Sequence, residues 1–306
     1  MRGLVIKSTG SSYLVHFQDG DTLDCHIKGN FRIKGIRSTN PVAVGDYVEV
    51  QTLADGTNWI TDVCDRRNYV IRRSTNLSKE SHIIAANVDQ AALLVTVNHP
   101  VTSTTFIDRF LATCEAYRVP AMLLFNKTDL LSPEETETME AMRGLYESLG
   151  YPTRAISALH GDLSMVRELL ADKVTLLSGN SGVGKSTLLN SIFGTTLTRT
   201  AAISNAHNKG THTTTFSEMY PLPDGGWIID TPGIKGFGVI DMQKEEAGHY
   251  FREIFHISHD CRYSDCTHTG EPGCAVYEAA LNGTIAPSRY ESYLSLLGDC
   301  QVNKYR

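Results

Sequence analysis

The sequence predicts a multidomain α/β protein with a small β-barrel at the N-terminus, a mostly parallel sheet in the middle and a helical C-terminal region. Three observations carry that prediction. Up to about Arg73 the chain runs in short alternating or apolar stretches separated by Gly, Asp and Asn, the pattern of half-buried strands. From about Ile83 apolar segments alternate with amphipathic ones, as in a parallel sheet covered on both faces. Beyond about Lys244 the pattern is helical and is interrupted by a cluster of cysteines and histidine. The domain boundaries expected from these shifts are 1–73, 74–244 and 245–306.

The chain has 306 residues, 41% of them hydrophobic, enough to bury ample core. No window approaches the ~20 apolar residues of a membrane span, and Met1-Arg2-Gly3-Leu4 opens onto alternating sequence, so a cytoplasmic location is expected. The net charge of −6 argues against a protein that coats nucleic acid indiscriminately, and no DNA partner is expected. Residues 1–75 nevertheless carry ten Lys and Arg against eight Asp and Glu, which leaves −8 for the remainder. Any contact with a polyanion falls to the N-terminal part. The absence of a heptad seam leaves a monomer as the default.

In the first region Leu4 to Ile6, Tyr13 to Phe17, Val42 to Val50 and Trp59 to Val63 read as strands. Their number and length fit a five-stranded barrel of the oligonucleotide-binding (OB) type, with an SH3-like barrel as the alternative. In the second region Ala91 to Val97, Ala121 to Phe125, Val174 to Ser178 and Trp227 to Asp230 read as strands. Phe106 to Arg118, Pro133 to Leu149, Leu163 to Ala171 and Lys185 to Phe193 read as helices. A last helix is expected near Tyr290 to Leu297.

The strand Val174 to Ser178 runs into Gly179-Asn180-Ser181-Gly182-Val183-Gly184-Lys185-Ser186, followed by the helix start at Thr187. This is G-x-x-x-x-G-K-[ST] in its strand, loop and helix setting, the strongest single signal in the chain. The glycines let backbone N–H groups wrap a β-phosphate, the helix aims its positive end at the same charge, and Lys185 bridges β and γ oxygens. Ser186 is the expected magnesium ligand of the loop.

Strand Ala121 to Phe125 ends in Asn126-Lys127-Thr128-Asp129. A carboxylate at Asp129 can accept from both the N1–H and the exocyclic amino group of guanine, whereas adenine presents a lone pair at N1. Lys127 can lay its aliphatic stem along the base, and Asn126 can bond the purine edge and tie the loop to the phosphate site. Ala155-Ile156-Ser157-Ala158 follows, with Ser157 and Ala158 expected beside the base carbonyl. Asn208-Lys209-Gly210-Thr211 shares the first two residues of the base motif but has no carboxylate and is discounted.

Asp230-Thr231-Pro232-Gly233 supplies D-x-x-G, with Asp230 expected in the magnesium shell and the Gly233 N–H at the γ-phosphate. Between it and the phosphate loop lies Gly210-Thr211-His212-Thr213-Thr214-Thr215, in which Thr214 is the threonine chosen to complete the magnesium site. Ile234 stands where a water-orienting glutamine often follows D-x-x-G, so slow intrinsic hydrolysis is expected. His212, Asp241 and His249 are the candidates to activate water.

Seven cysteines in a cytosolic chain are poor disulfide material. Cys25, Cys64, Cys114 and Cys300 read as packing residues. Cys261, Cys266, His268 and Cys274 offer three thiolates and one imidazole within one loop, which suits a closed tetrahedral site for one structural zinc ion. His256 and His259 lie close enough to compete, and His259 is the alternative fourth ligand.

The order of motifs is N-K-x-D, Ser-Ala, phosphate loop, threonine segment, D-x-x-G. An ordinary GTPase begins with the phosphate loop, so the central domain reads as a circularly permuted P-loop GTPase that turns GTP into GDP and phosphate. Two other readings stay open at this level: a binding module in which nucleotide only stabilises the middle domain, and a P-loop ATPase or small-molecule kinase, which Asp129 disfavours.

With a β-barrel in front and a Cys/His segment behind, the whole chain resembles the RsgA (YjeQ/YloQ) family of circularly permuted ribosome-assembly GTPases. That resemblance implies a factor in late maturation of the small ribosomal subunit, binding it in the GTP form and hydrolysing GTP in response. It also implies contact between the barrel and rRNA, which here would draw on Lys28, Arg32, Lys34 and Arg37.

Overall fold

The computed structural model describes residues 1–10, 12–27, 41–73, 81–194, 217–230 and 243–302. Strands β1 (Arg2–Ser8), β2 (Tyr13–Phe17), β3 (Thr22–Ile27), β4 (Tyr47–Thr52) and β5 (Asn58–Val63) form a closed barrel. Their order is β1-β2-β3-β5-β4, with β4 returning to β1 and β3 lying parallel to β5. This is the five-stranded arrangement of the OB type and resolves the choice left open by the sequence. Val5, Tyr13, Val15, Cys25, Val48 and Ile60 fill its interior, so Cys25 does pack.

A two-stranded ribbon follows, β6 (Tyr69–Arg73) with β7 (Ser81–Ala86). The ribbon spans the expected boundary at residue 73, and its pairing is not apparent in the sequence pattern. Asp46, fully buried in the barrel, is held bidentately by Arg66 at 2.7 and 2.6 Å, which anchors the chain entering the ribbon.

The central sheet comprises β8 (Gln90–Val95), β9 (Ala121–Phe125), β10 (Thr153–Ala155), β11 (Val174–Gly179), β12 (Glu218–Pro221) and β13 (Trp227–Asp230). Its order is β10-β9-β8-β11-β13-β12, parallel except for β12. Leu93 and Leu94, adjacent on β8, enter two different cores, one on each face of the sheet. That is why the strand reads as continuously apolar. Helices α1 (Thr104–Ala116), α2 (Pro133–Ser148), α3 (Ser164–Leu170) and α4 (Lys185–Phe193) connect the strands. α1 begins two residues earlier than the periodicity predicted, because Ser103 caps it by accepting from the Phe106 N–H. Ser132 and Glu135 form a capping box on α2.

The C-terminal helices are α5 (Arg252–Ser258), α6 (Ala275–Leu281) and α7 (Pro287–Val302), preceded by a 3-10 segment, Lys244–Tyr250. Their core of Phe251, Ile254, Val276, Ile285, Tyr293 and Leu297 is completed by Ala112 of α1. A polar joint reinforces that borrowed surface. Arg289 of α7, 1% exposed, donates to Asp108 of α1 at 2.8 Å and to both oxygens of Glu253 at 2.6 and 3.0 Å, while Tyr146 of α2 donates to Asp108 at 2.8 Å. Among the described residues no helix is long and apolar enough to cross a membrane.

Candidate nucleotide and metal sites

The C-terminal ends of β9, β8, β11 and β13 lie side by side, so the loops that leave them share one rim of the sheet. At β11 the chain turns through Asn180, Ser181, Gly182 and Val183 into α4. Gly179 and Gly184 are required by shape. A Cβ on Gly179 would stand 2.9 Å from the Leu94 carbonyl oxygen, and one on Gly184, at φ +103°, would run into the Asn126 amide. Val183 is fully buried and anchors the loop, whereas Ser181 and Ser186 are exposed and Thr187 half-buried. Lys185 folds back over the loop, its Nζ donating to the carbonyls of Gly179 at 2.5 Å and Asn180 at 3.0 Å.

Asp230 ends β13 beside β11. Burial pushes its carboxyl up; Lys185 pulls it back and Glu218 adds to the rise. Burial in turn lowers Lys185, against the pull of Asp230. The Oδ1 atom of Asp230 is buried with no hydrogen-bond partner among the described residues. An oxygen of this kind, next to a lysine poised over a phosphate loop, fits a hard cation or the water that such a cation carries. Thr214, Gly233, His212, Ile234, Asp241 and the Asn208 to Thr211 stretch lie outside the described residues.

The base motif sits on the loop after β9. Asn126 is buried and bridges three loops: its Nδ2 donates to the Val183 carbonyl at 2.8 Å, and its Oδ1 accepts from the Ala158 N–H at 2.9 Å. The tie to the phosphate loop therefore exists, and the Ala158 N–H is engaged by that asparagine. Thr128 bonds the Ile156 carbonyl through both its N–H (3.3 Å) and its hydroxyl (3.1 Å). The Ser157 hydroxyl accepts from the His160 N–H at 3.1 Å. Asp129 is exposed, and among the described residues none is recorded bonding its carboxylate.

The segment after β8 also borders the site, at residues that no motif in the sequence marks. The His99 carbonyl accepts from Lys127 Nζ at 2.5 Å, and Pro100 packs against Gly182. His99-Pro100 is a cis peptide. The only sequence signal was an X-Pro directly beyond an apolar strand.

The sulfur atoms of Cys261, Cys266 and Cys274 and a ring nitrogen of His268 all lie within 4.8 Å of one another. His268 Nδ1 is 3.6 Å from Cys261 Sγ and 3.5 Å from Cys274 Sγ, and these two sulfurs are 4.0 Å apart. A zinc ion with ordinary bond lengths spaces tetrahedral ligands by about 3.8 Å for two sulfurs and about 3.6 Å for sulfur and nitrogen. The four residues thus fit zinc, and all seven cysteines are free thiols. Burial keeps His268 below its usual value, hence neutral and able to ligate. His259 and His249 each meet the Phe255 ring edge to face, and among the described residues the histidine grouped with the three cysteines is His268. Glu271 braces the loop by accepting from the Thr267 N–H (2.8 Å), the Thr267 hydroxyl (2.6 Å) and the Thr269 N–H (2.7 Å). Burial would raise its carboxyl, but these donors outweigh it and hold it at about 2.

A phosphate loop and an N-K-x-D segment on one rim, joined through Asn126 and strung in rotated order, define a circularly permuted P-loop GTPase. The RsgA GTPase family model matches residues 63–240, and that of the RsgA N-terminal domain matches 2–60. The chain belongs to the RsgA GTPase family. It is 59% identical to the small ribosomal subunit biogenesis GTPase RsgA of Phocaeicola vulgatus, with 100% of this chain and 99% of that one covered. Among solved structures it is similar to YjeQ from Thermotoga maritima, with 33% identity, a TM-score of 0.76 and 98% of each chain covered. It is also similar to YloQ, a circularly permuted GTPase, with 27% identity, a TM-score of 0.73 and coverage of 100% and 96%.

Proposed function

We propose that this chain is a cytoplasmic, monomeric GTPase of small ribosomal subunit biogenesis that binds the subunit in its GTP form and hydrolyses GTP when the subunit stimulates it. The observation that carries this reading is the 59% identity, over full length, to a protein of that name. The units 1–73, 74–244 and 245–306 would serve as RNA-binding barrel, GTPase domain and zinc-stapled helical domain. Lys28, Arg32, Lys34 and Arg37, outside the described residues, are the proposed rRNA contacts of the barrel.

In the proposed site Asp129 accepts from guanine, Lys127 lies along the base, and Asn126 holds base loop, Ser157-Ala158 loop and phosphate loop in one frame. Backbone N–H groups from Gly179 to Thr187 enclose the phosphates, with Lys185 leaving the loop carbonyls for the β and γ oxygens. Ser186, Thr214 and Asp230 would hold magnesium, which when bound offsets negative charge on the phosphates. The Gly233 N–H would meet the γ-phosphate. With Ile234 in place of a glutamine, the water-activating group comes from His212 or another residue or from the subunit.

The test is the GTP hydrolysis rate with and without purified small ribosomal subunits, in excess ATP, with Lys185→Ala as control. Strong acceleration that ATP does not suppress and that Lys185→Ala abolishes is the expected result. No response to subunits would leave a guanine-nucleotide switch for some other partner.

A further inference from the structure

We propose that Lys7 of the barrel is a positioning residue for the Asp230 carboxylate of the phosphate site, acting through Glu218. The inference rests on the reading of Asp230 as a residue of the magnesium shell. Three strands set these side chains in one row. Lys7 on β1 stands opposite Glu218 on β12, and Glu218 stands opposite Asp230 on β13. Direct partners across antiparallel strands project to the same face. The Lys7 ammonium reaches Glu218 Oε1 at 3.0 Å, and the Tyr220 hydroxyl donates to Oε2 at 3.2 Å.

Two carboxylates directly opposite each other repel. Glu218 is tolerated beside Asp230 because its charge is drawn toward the barrel on one side, while Lys185 serves Asp230 on the other. Lys7 thereby does two things. It cancels one negative charge in the field at Asp230, and it holds the Glu218 oxygens away from a cation that Asp230 approaches. The row joins two carboxylates to one ammonium, which belongs to the barrel, and a second ammonium, Lys185, acts on Asp230 from the start of α4. The affinity of the phosphate site for a divalent cation is therefore set in part by a residue that touches neither nucleotide nor metal.

The experiment follows release of a fluorescent GDP analogue from the full-length chain across a magnesium series, for wild type, Lys7→Met, Glu218→Gln and the double variant. Lys7→Met leaves Glu218 uncompensated, and the half-effective magnesium concentration falls about two- to fivefold, the range of a partly exposed ion pair. Glu218→Gln leaves Lys7 uncompensated, and the value rises by a similar factor. The double variant restores the wild-type charge and returns to within about twofold of it. A merely structural role for the pair would shift all three variants toward weaker binding, and that outcome overturns the proposal. So does a normal magnesium response in wild type that Lys7→Met and Glu218→Gln leave unchanged. Release that ignores magnesium in wild type removes the magnesium reading of Asp230 and this inference with it.

Discussion

Replacing Arg289 by Met removes the cation at the centre of the joint between the C-terminal helices and α1. In the folded protein its guanidinium makes three hydrogen bonds, to Asp108 and to both oxygens of Glu253, and lies 4.7 Å from the Phe251 ring centre. Met fills most of the volume but leaves Asp108, fully buried, with only the Tyr146 hydroxyl. Breaking a buried pair from one side typically costs ~3–5 kcal/mol. Equilibrium urea unfolding, read with hydrogen exchange on α7, is the assay. The deficit also has a pH signature. Burial pushes the Asp108 carboxyl up, with Arg289, Ser292 and Tyr146 opposing it. A group whose folded value is raised contributes stability below its unfolded value and loses it as pH rises through the folded one. Without Arg289 the folded value climbs further, so the deficit of the variant should shrink as pH is lowered toward the ordinary carboxylate range. Asp108→Asn in the same background should recover part of the loss at neutral pH. A deficit under ~1 kcal/mol, or one that does not change with pH, would refute the account of Asp108 as a buried charge that depends on Arg289.

Asp129→Asn exchanges one acceptor for a donor, so affinity for GTP should fall roughly 10²-fold or more while xanthine nucleotide, which presents a carbonyl at that edge, gains; competition binding measures both. Gly184→Ala forces a Cβ against the Asn126 amide at a positive φ, and a loss of ~2–3 kcal/mol in unfolding together with weaker GDP binding is expected. Wild-type stability with wild-type affinity would sink the claim that this contact is tight. Stripping metal with a chelator, or Cys266→Ser, should abolish exchange protection in α6 and α7 while β8 and β11 retain theirs; equal protection in both would count against a structural zinc.

The nucleotide motifs were legible because they are local: fixed spacing on a strand end is itself the chemistry, and nothing distant is needed to place Gly184 before Lys185. Parallel strands were legible for a related reason, since both faces of β8 and β9 are covered and the apolar run is unbroken. What escaped depends on distant partners. Asp108 and Arg289 are 181 residues apart, and two charged residues in amphipathic helices read as solvent-facing until each is seen to bury the other. For the same reason α7 extends beyond the predicted segment at both ends. β12 is only four residues long and ends in Pro221, too short a run to show strand periodicity, and it is a strand because β13 and β1 flank it. The choice between His268 and His259 beside the three cysteines was open in the sequence because it depends on how the loop folds, and the fold groups His268 with them.

The continuity of the barrel with the central sheet bears on solubility. An edge strand offers unpaired N–H and C=O groups to any passing chain, and proteins blunt or cover such edges. β10 is three residues long, which limits the template on that side. On the other side β12 is met by β1 at Lys7, so the barrel stands where another molecule could add a strand. A chain shortened to begin after the barrel would keep the P-loop, the base motif and Cys261, Cys266 and Cys274, yet leave β12 without its β1 neighbour. Its first failing should be self-association in a concentration series, ahead of any change in nucleotide preference.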